Sequence, residues 1–151
     1  MVIKIDNRVR KVLREVLSEM VNPVDIMVFS AREDCEYCED TITIVKALVE
    51  ESGGKISLTT YYREEEAEVF EKYGIDRVPT VALLEGYIRY TGIPAGEEFK
   101  GLVDTIIKVS KGDSGLSGEV VSKLRRELVG AVYVEVIVTP TCPYCPMAAV
   151  L

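Results

Sequence analysis

Apolar residues recur near the start of the chain as Val9, Val12, Leu13, Val16, Leu17 and Met20, three and four apart. That spacing predicts the buried face of a helix over Arg8 to Val21, stopped by Asn22-Pro23. Val24 to Phe29 is a short, mostly apolar run and reads as a buried strand. The next segment, "EDTITIVKALVEESGG", is two-sided. "TITIV" alternates and is β-branched, which suits a strand. Yet Ile42, Val45, Leu48 and Val49 fit a helix face, and Gly53-Gly54 fits a helix stop. Ile56 to Tyr62 alternates as a strand. Glu64 to Tyr73 reads as a helix with acids in its first turn and Gly74 beyond its end. Thr80 to Leu84 and Tyr87 to Tyr90 read as strands of a hairpin around Glu85-Gly86. Phe99, Leu102, Val103, Ile106 and Ile107 mark a further amphipathic helix. With the two-sided segment taken as a helix, the order is a helix followed by β-α-β-α-β-β-α.

"KGDSG", residues 111 to 115, has the composition of a linker. After it the pattern restarts. "SGEVVSKLRREL" reads as a helix capped by Ser117, and Val132 to Val138 as a strand. Cys35 and Cys142 are 107 positions apart, as are Cys38 and Cys145, and Leu17 and Leu124. A constant offset predicts an internal duplication. Residues 1 to 111 then form a complete unit, and residues 112 to 151 the beginning of a second. In that register Leu151 matches Ile44, so the second unit stops inside its counterpart of the two-sided segment. A lone strand and helix cannot bury their apolar faces by themselves and must lean on the first unit or on another chain.

Composition narrows the function. The 151 residues suit one domain or a little more, and the net charge is −7 with scattered basic residues. Nucleic acid is therefore not an expected partner. The acidic run "REEEAE" reads most simply as solvated surface. No apolar stretch is long enough to span a membrane. The charged amphipathic start is not a signal peptide, so a cytoplasmic location is expected. The chain has no Gln, His or Trp, while Glu, Lys and Arg are plentiful. This is the usage of hyperthermophile proteins, whose cytoplasm is the setting where intracellular disulfides are common.

All four cysteines lie in two CxxC motifs, "CEYC" and "CPYC". In each, a predicted strand leads through a short loop to a predicted helix. A first cysteine placed at the helix N-terminus gains from the unpaired N–H groups and the helix dipole. Its pKa falls below the free value of about 8.5, and the thiolate is the nucleophile. A second cysteine three residues on lies within disulfide reach. Cys35 and Cys142 are thus expected to attack, and Cys38 and Cys145 to resolve the mixed disulfide. Asp34, Glu36, Glu39 and Asp40 crowd the first pair and oppose a thiolate there. The second pair has no acid beside it in sequence, which predicts the lower pKa at Cys142 and the more oxidising pair. Glu135, a lone charge in an apolar run, could assist proton transfer there or merely face water. The competing reading makes one zinc site of four thiolates, or a redox-inert interaction module. The pairs are separated by 103 residues, far from the roughly 15 to 20 of a compact zinc ribbon.

"CPYC" is the active-site motif of glutaredoxins, and "VIVTPTCPYC" is similar to their strand-to-helix approach. "YGIDRVPT", residues 73 to 80, resembles the thioredoxin-superfamily segment before the proline that faces the active site. With the duplication, the chain resembles the two-unit, glutaredoxin-like protein disulfide oxidoreductases of thermophilic archaea and bacteria. The resemblance implies an α/β thioredoxin fold, in which "TITIV" begins the active-site helix. It implies a cis Pro79 beside Cys35 and Cys38, with Val78 presenting its backbone to a substrate chain. Tyr37 and Tyr144, at matching motif positions, would shape the substrate surface or pack over the helix start. It further implies protein thiols or disulfides as substrates, a flavin- and NADPH-dependent reductase as donor, and no bound cofactor or metal. "CEYC" departs from the glutaredoxin motif, and the second unit has no counterpart of Pro79.

Overall fold

The computed structural model describes residues 5–139 and 141–150. Its elements are α1 (Asn7–Leu17), β1 (Val24–Ser30), α2 (Cys38–Glu51), β2 (Ile56–Tyr62), α3 (Ala67–Tyr73), β3 (Thr80–Leu83), β4 (Ile88–Thr91), α4 (Glu97–Lys111), α5 (Gly118–Glu127) and α6 (Cys145–Val150). A single sheet runs in the order β2-β1-β3-β4. β1 and β2 are parallel, and β3 is antiparallel to both β1 and β4.

Alternation along β1 builds two cores. Ile26 and Val28 face Leu13, Leu17, Val45, Leu48, Leu102 and Ile106, so α1, α2 and α4 cover one face. Phe29 faces the other, with Phe70, Ile75 and Ala82. Its ring packs against Tyr61, Phe70 and Tyr73 with centroids 5.1–5.6 Å apart. The two-sided segment is helical, because a helix puts Ile42, Val45 and Leu48 together on the sheet.

Several boundaries differ from the pattern. The Asp6 side chain caps α1 by accepting from the Val9 N–H at 2.8 Å. The helix ends at Leu17, leaving Val9 and Val12 exposed while Leu13, Leu17 and Met20 are buried. α3 starts at Ala67 rather than Glu64, because the preceding acids serve backbone donors. Glu66 Oε2 accepts from the Tyr62 N–H at 2.7 Å, and Glu64 accepts from the Arg32 N–H. The β3–β4 hairpin turns through Leu84, Glu85 and Gly86, all at positive φ. The Ser110 hydroxyl fastens the end of α4 to the approach to β1. It accepts from the Val21 and Asn22 N–H groups and donates to the Asn22 carbonyl.

The strand predicted over Val132 to Val138 does not form. Residues 131–139 take no regular structure and join no ladder among the described residues. A strand exists by pairing, and β1 already has a partner on each side, so this run meets no vacant central position. Val132, Tyr133, Val134 and Ile137 stay exposed, and no residue of α5 is buried. α6 instead leans on α4, as a lone helix must: Pro146 and Val150 lie against Gly101.

Candidate functional site

β1 ends at Ser30 and hands the chain to a loop of residues 31 to 37. Asp34 turns that loop at φ 53°, a conformation that Asp tolerates better than most residues. Cys35 and Cys38 close a disulfide with Cα atoms 5.6 Å apart. Cys35 is half-buried, whereas Cys38 is 1% exposed. The buried sulfur is held by the Ala31 N–H, which donates to Cys38 Sγ at 3.4 Å. An incoming sulfur therefore has access to Cys35 and none to Cys38.

The helix start is one turn later than expected. α2 begins at Cys38, and its opening bond runs from the Thr41 N–H to the Tyr37 carbonyl at 2.9 Å. Cys35 stands in the turn ahead of the helix, still on the side of its positive end. The second motif repeats this arrangement, with α6 beginning at Cys145. Tyr37 is exposed, and its hydroxyl is held above its ordinary pKa by a hydrogen bond with the Glu36 carboxylate.

Arg32 and Glu64 are site-supporting residues that sequence reasoning did not single out. The Arg32 guanidinium lies 3.4 Å from the Tyr62 ring centroid and bonds Glu65 at 2.9 Å. The Glu64 carboxylate takes the Arg32 N–H, at 3.1–3.2 Å to its two oxygens. Its own backbone N–H, followed by that of Arg32, holds Glu64 below the usual carboxylate range. Together they fasten the cysteine loop to the end of β2. No local sequence pattern announces this, since the partners are more than thirty residues apart.

The Val78–Pro79 bond is cis. Met27, Val28 and Phe29 pair with Ala82, Val81 and Thr80, and one further step of that register sets Ser30 against Pro79. Pro79 and the first cysteine loop thus share one end of the sheet. The Pro79 carbonyl accepts from the Gly92 N–H at 2.8 Å, and Thr80 Oγ1 donates to the Arg77 carbonyl. Among the described residues, neither the N–H nor the C=O of Val78 has a backbone partner.

Cys142 and Cys145 are free thiols, each half-buried. The Cys142 thiol is held below its ordinary pKa, first by a hydrogen bond from the Cys145 thiol and then by the Tyr144 N–H. Donating that hydrogen bond pushes Cys145 up. Glu135 accepts from Arg77 at 3.0 Å, beside Val78. Among the described residues, no three His, Cys, Asp or Glu side chains converge as a metal site.

A family model described as a thioredoxin domain matches residues 24–104, the span from β1 into α4. The chain belongs to the thioredoxin domain family. Among solved structures, a protein disulfide oxidoreductase from Aeropyrum pernix K1 is 44% identical, with a TM-score of 0.91. The match covers 99% of this chain and 66% of that one, so this thioredoxin-family chain spans just under two thirds of its relative's length. An alkylhydroperoxide reductase from Enterococcus faecalis shares the fold at 22% identity and a TM-score of 0.75, over 96% of this chain and 71% of that one. No curated protein matches the chain by sequence. The α/β thioredoxin fold expected from the motifs is therefore the fold this chain has. No helix among the described residues is long and apolar enough to cross a membrane.

Proposed function

We propose that the protein is a thiol–disulfide oxidoreductase acting on protein thiols and disulfides, with Cys35 as the exchanging sulfur and Cys38 as the resolving one. The observation that carries this is the asymmetry of the disulfide, with Cys35 half-buried and Cys38 1% exposed. In the oxidised state a substrate thiolate attacks Cys35 Sγ. The new S–S bond forms as the Cys35–Cys38 bond breaks, and the electron pair leaves on Cys38 Sγ. The Ala31 N–H already points at that sulfur and can stabilise the charge. A second substrate thiolate then releases Cys35, and the pair leaves reduced. Run backwards, the same steps reduce a substrate disulfide.

The unpaired backbone of Val78, next to Pro79, gives a substrate segment a strand-like docking edge at the end of the sheet where Cys35 lies. The exposed Tyr37 ring would border that segment. Cys142 and Cys145 form a second exchanging pair, and residues 112–151 are the beginning of a second thioredoxin unit. A flavin- and NADPH-dependent reductase would recharge the protein in the cytoplasm. The 44% identity to a protein disulfide oxidoreductase supports the thiol–disulfide exchange in this reading.

Turbidimetric reduction of insulin by dithiothreitol tests it. The wild type accelerates the reaction, Cys35→Ser and Cys142→Ser each retain part of the activity, and the double variant has none. Full activity in the double variant would refute the assignment.

A further inference from the structure

Where β1 hands over to the cysteine loop, successive backbone groups have separate partners. The Ser30 carbonyl accepts from the Arg63 N–H at 3.0 Å, and the Ala31 N–H donates to Cys38 Sγ at 3.4 Å. The Arg32 N–H donates to the Glu64 carboxylate at 3.1–3.2 Å. The Ser30 carbonyl and the Ala31 N–H belong to one peptide unit. In a trans peptide these two groups point opposite ways, so the bond from Arg63 and the bond to Cys38 leave the unit on opposite edges. The bond from Arg63 fixes the place of that unit but leaves it free to rock. A second fastening, on the next peptide unit, removes that freedom, and the Glu64 side chain supplies it.

Glu64 is exposed, so packing does not account for a carboxylate at this position. Its oxygens also serve its own N–H and that of Glu33, so the carboxylate is bound to backbone donors on both sides of the gap between β2 and the cysteine loop. The sulfur that the Ala31 N–H faces is the one on which charge appears. When a thiolate attacks Cys35 Sγ, the Cys35–Cys38 bond breaks and its electron pair passes to Cys38 Sγ. That sulfur belongs to a residue only 1% exposed, where water gives little help. A donor already aimed at the place where charge develops needs no reorganisation in the transition state.

We propose that Glu64 is a positioning residue for Cys38: its carboxylate grips the Arg32 N–H and thereby keeps the Ala31 N–H on the departing sulfur. The proposal rests on the reading of Cys35 as the exchanging sulfur and Cys38 as the leaving one. The field of Glu64 acts in the opposite sense. A carboxylate near a developing thiolate disfavours it, so removing that charge would by itself speed the opening of the disulfide. Loss of alignment slows it, and the sign of the change separates the two effects. The Arg32 guanidinium, bonded to Glu65 and stacked on Tyr62, keeps hold of the loop when Glu64 is shortened. The alignment is therefore lost in a protein that stays folded.

The test uses the full chain carrying Cys142→Ser and Cys145→Ser. The oxidised protein is mixed with excess dithiothreitol and quenched with N-ethylmaleimide, and mass spectrometry reads the opened fraction. One dithiothreitol thiolate opens the disulfide and its second thiolate releases Cys35, so the protein ends reduced by two electrons and the reagent oxidised by two. Glu64→Ala slows the opening about tenfold, while Glu64→Gln, which keeps one acceptor oxygen, recovers part of the rate. With Cys38→Ser added, attack of reduced Cys35 on dithionitrobenzoate, expressed per thiolate, stays within about twofold in Glu64→Ala. Opening at an unchanged or raised rate overturns the proposal, as does equal slowing of both reactions. Absence of opening even with Glu64 intact removes the exchanging pair itself, and the proposal with it.

Discussion

The backbone N–H of Ala31 donates to Cys38 Sγ across 3.4 Å, so the sulfur that solvent cannot reach is also the one the backbone holds. Among the described residues no such bond reaches Cys35, the half-buried member of the pair. The proposed division of labour between the two sulfurs rests on that difference.

With Cys142→Ser and Cys145→Ser as background, Cys38→Ser should accumulate a stable mixed disulfide on Cys35, because no second cysteine remains to resolve it. Mass spectrometry after incubation with a thiol-labelled peptide disulfide reads the adduct directly. Cys35→Ser in the same background should form none and lose exchange by about 10⁴-fold or more. An adduct on Cys38 instead would reverse the roles.

Glu51 in α2 accepts from Arg10 and Arg14 of α1, with Arg14 Nη2 at 2.7 Å. The hydrogen bonds from Arg10 and then Arg14 hold its carboxyl below the ordinary value of 4.5. A carboxyl depressed in the folded state contributes stability above its unfolded pKa and loses it as pH falls through its folded pKa. Glu51→Gln should therefore be less stable than wild type near neutral pH. The gap should begin to close as pH drops below about 4.5 and vanish in stronger acid. Urea midpoints across pH for both proteins check this, and a gap independent of pH would contradict it.

Thr41 Oγ1 is buried in α2 and has no hydrogen-bond partner among the described residues. Thr41→Val keeps the shape and removes the orphaned hydroxyl, which should raise stability by about 1 kcal/mol. A lower urea midpoint would mean that the hydroxyl has a partner.

Ser110→Ala removes an acceptor shared by two N–H groups and a donor to the Asn22 carbonyl. The expected loss is about 1–3 kcal/mol. Insulin reduction by the folded fraction should be unchanged.

The chemistry was more legible than the boundaries. Both CxxC motifs and the apolar run of β1 could be read because each is written in adjacent residues, while the cis Pro79 came through the resemblance of "YGIDRVPT". The helical nature of "TITIV" could not be decided by pattern alone: its β-branched residues suit either element, and packing of Ile42, Val45 and Leu48 on the sheet decides. The strand read at Val132 to Val138 had the right pattern and no partner. Glu64 and Glu66 looked like first-turn helix acids, yet their carboxylates bind the N–H groups of Arg32 and Tyr62. Contacts between segments far apart in the chain leave no local trace.

β1 joins two regions with separate tasks. One end is anchored at Asn22, which Ser110 grips, and the other passes into the loop of Cys35 and Cys38. Seven extended residues put about 20 Å between them. Opening and closing a sulfur–sulfur bond at one terminus of this rod leaves the fastening at the other undisturbed. The proposed exchange at Cys35 would therefore run on a frame that does not have to be rebuilt after each cycle.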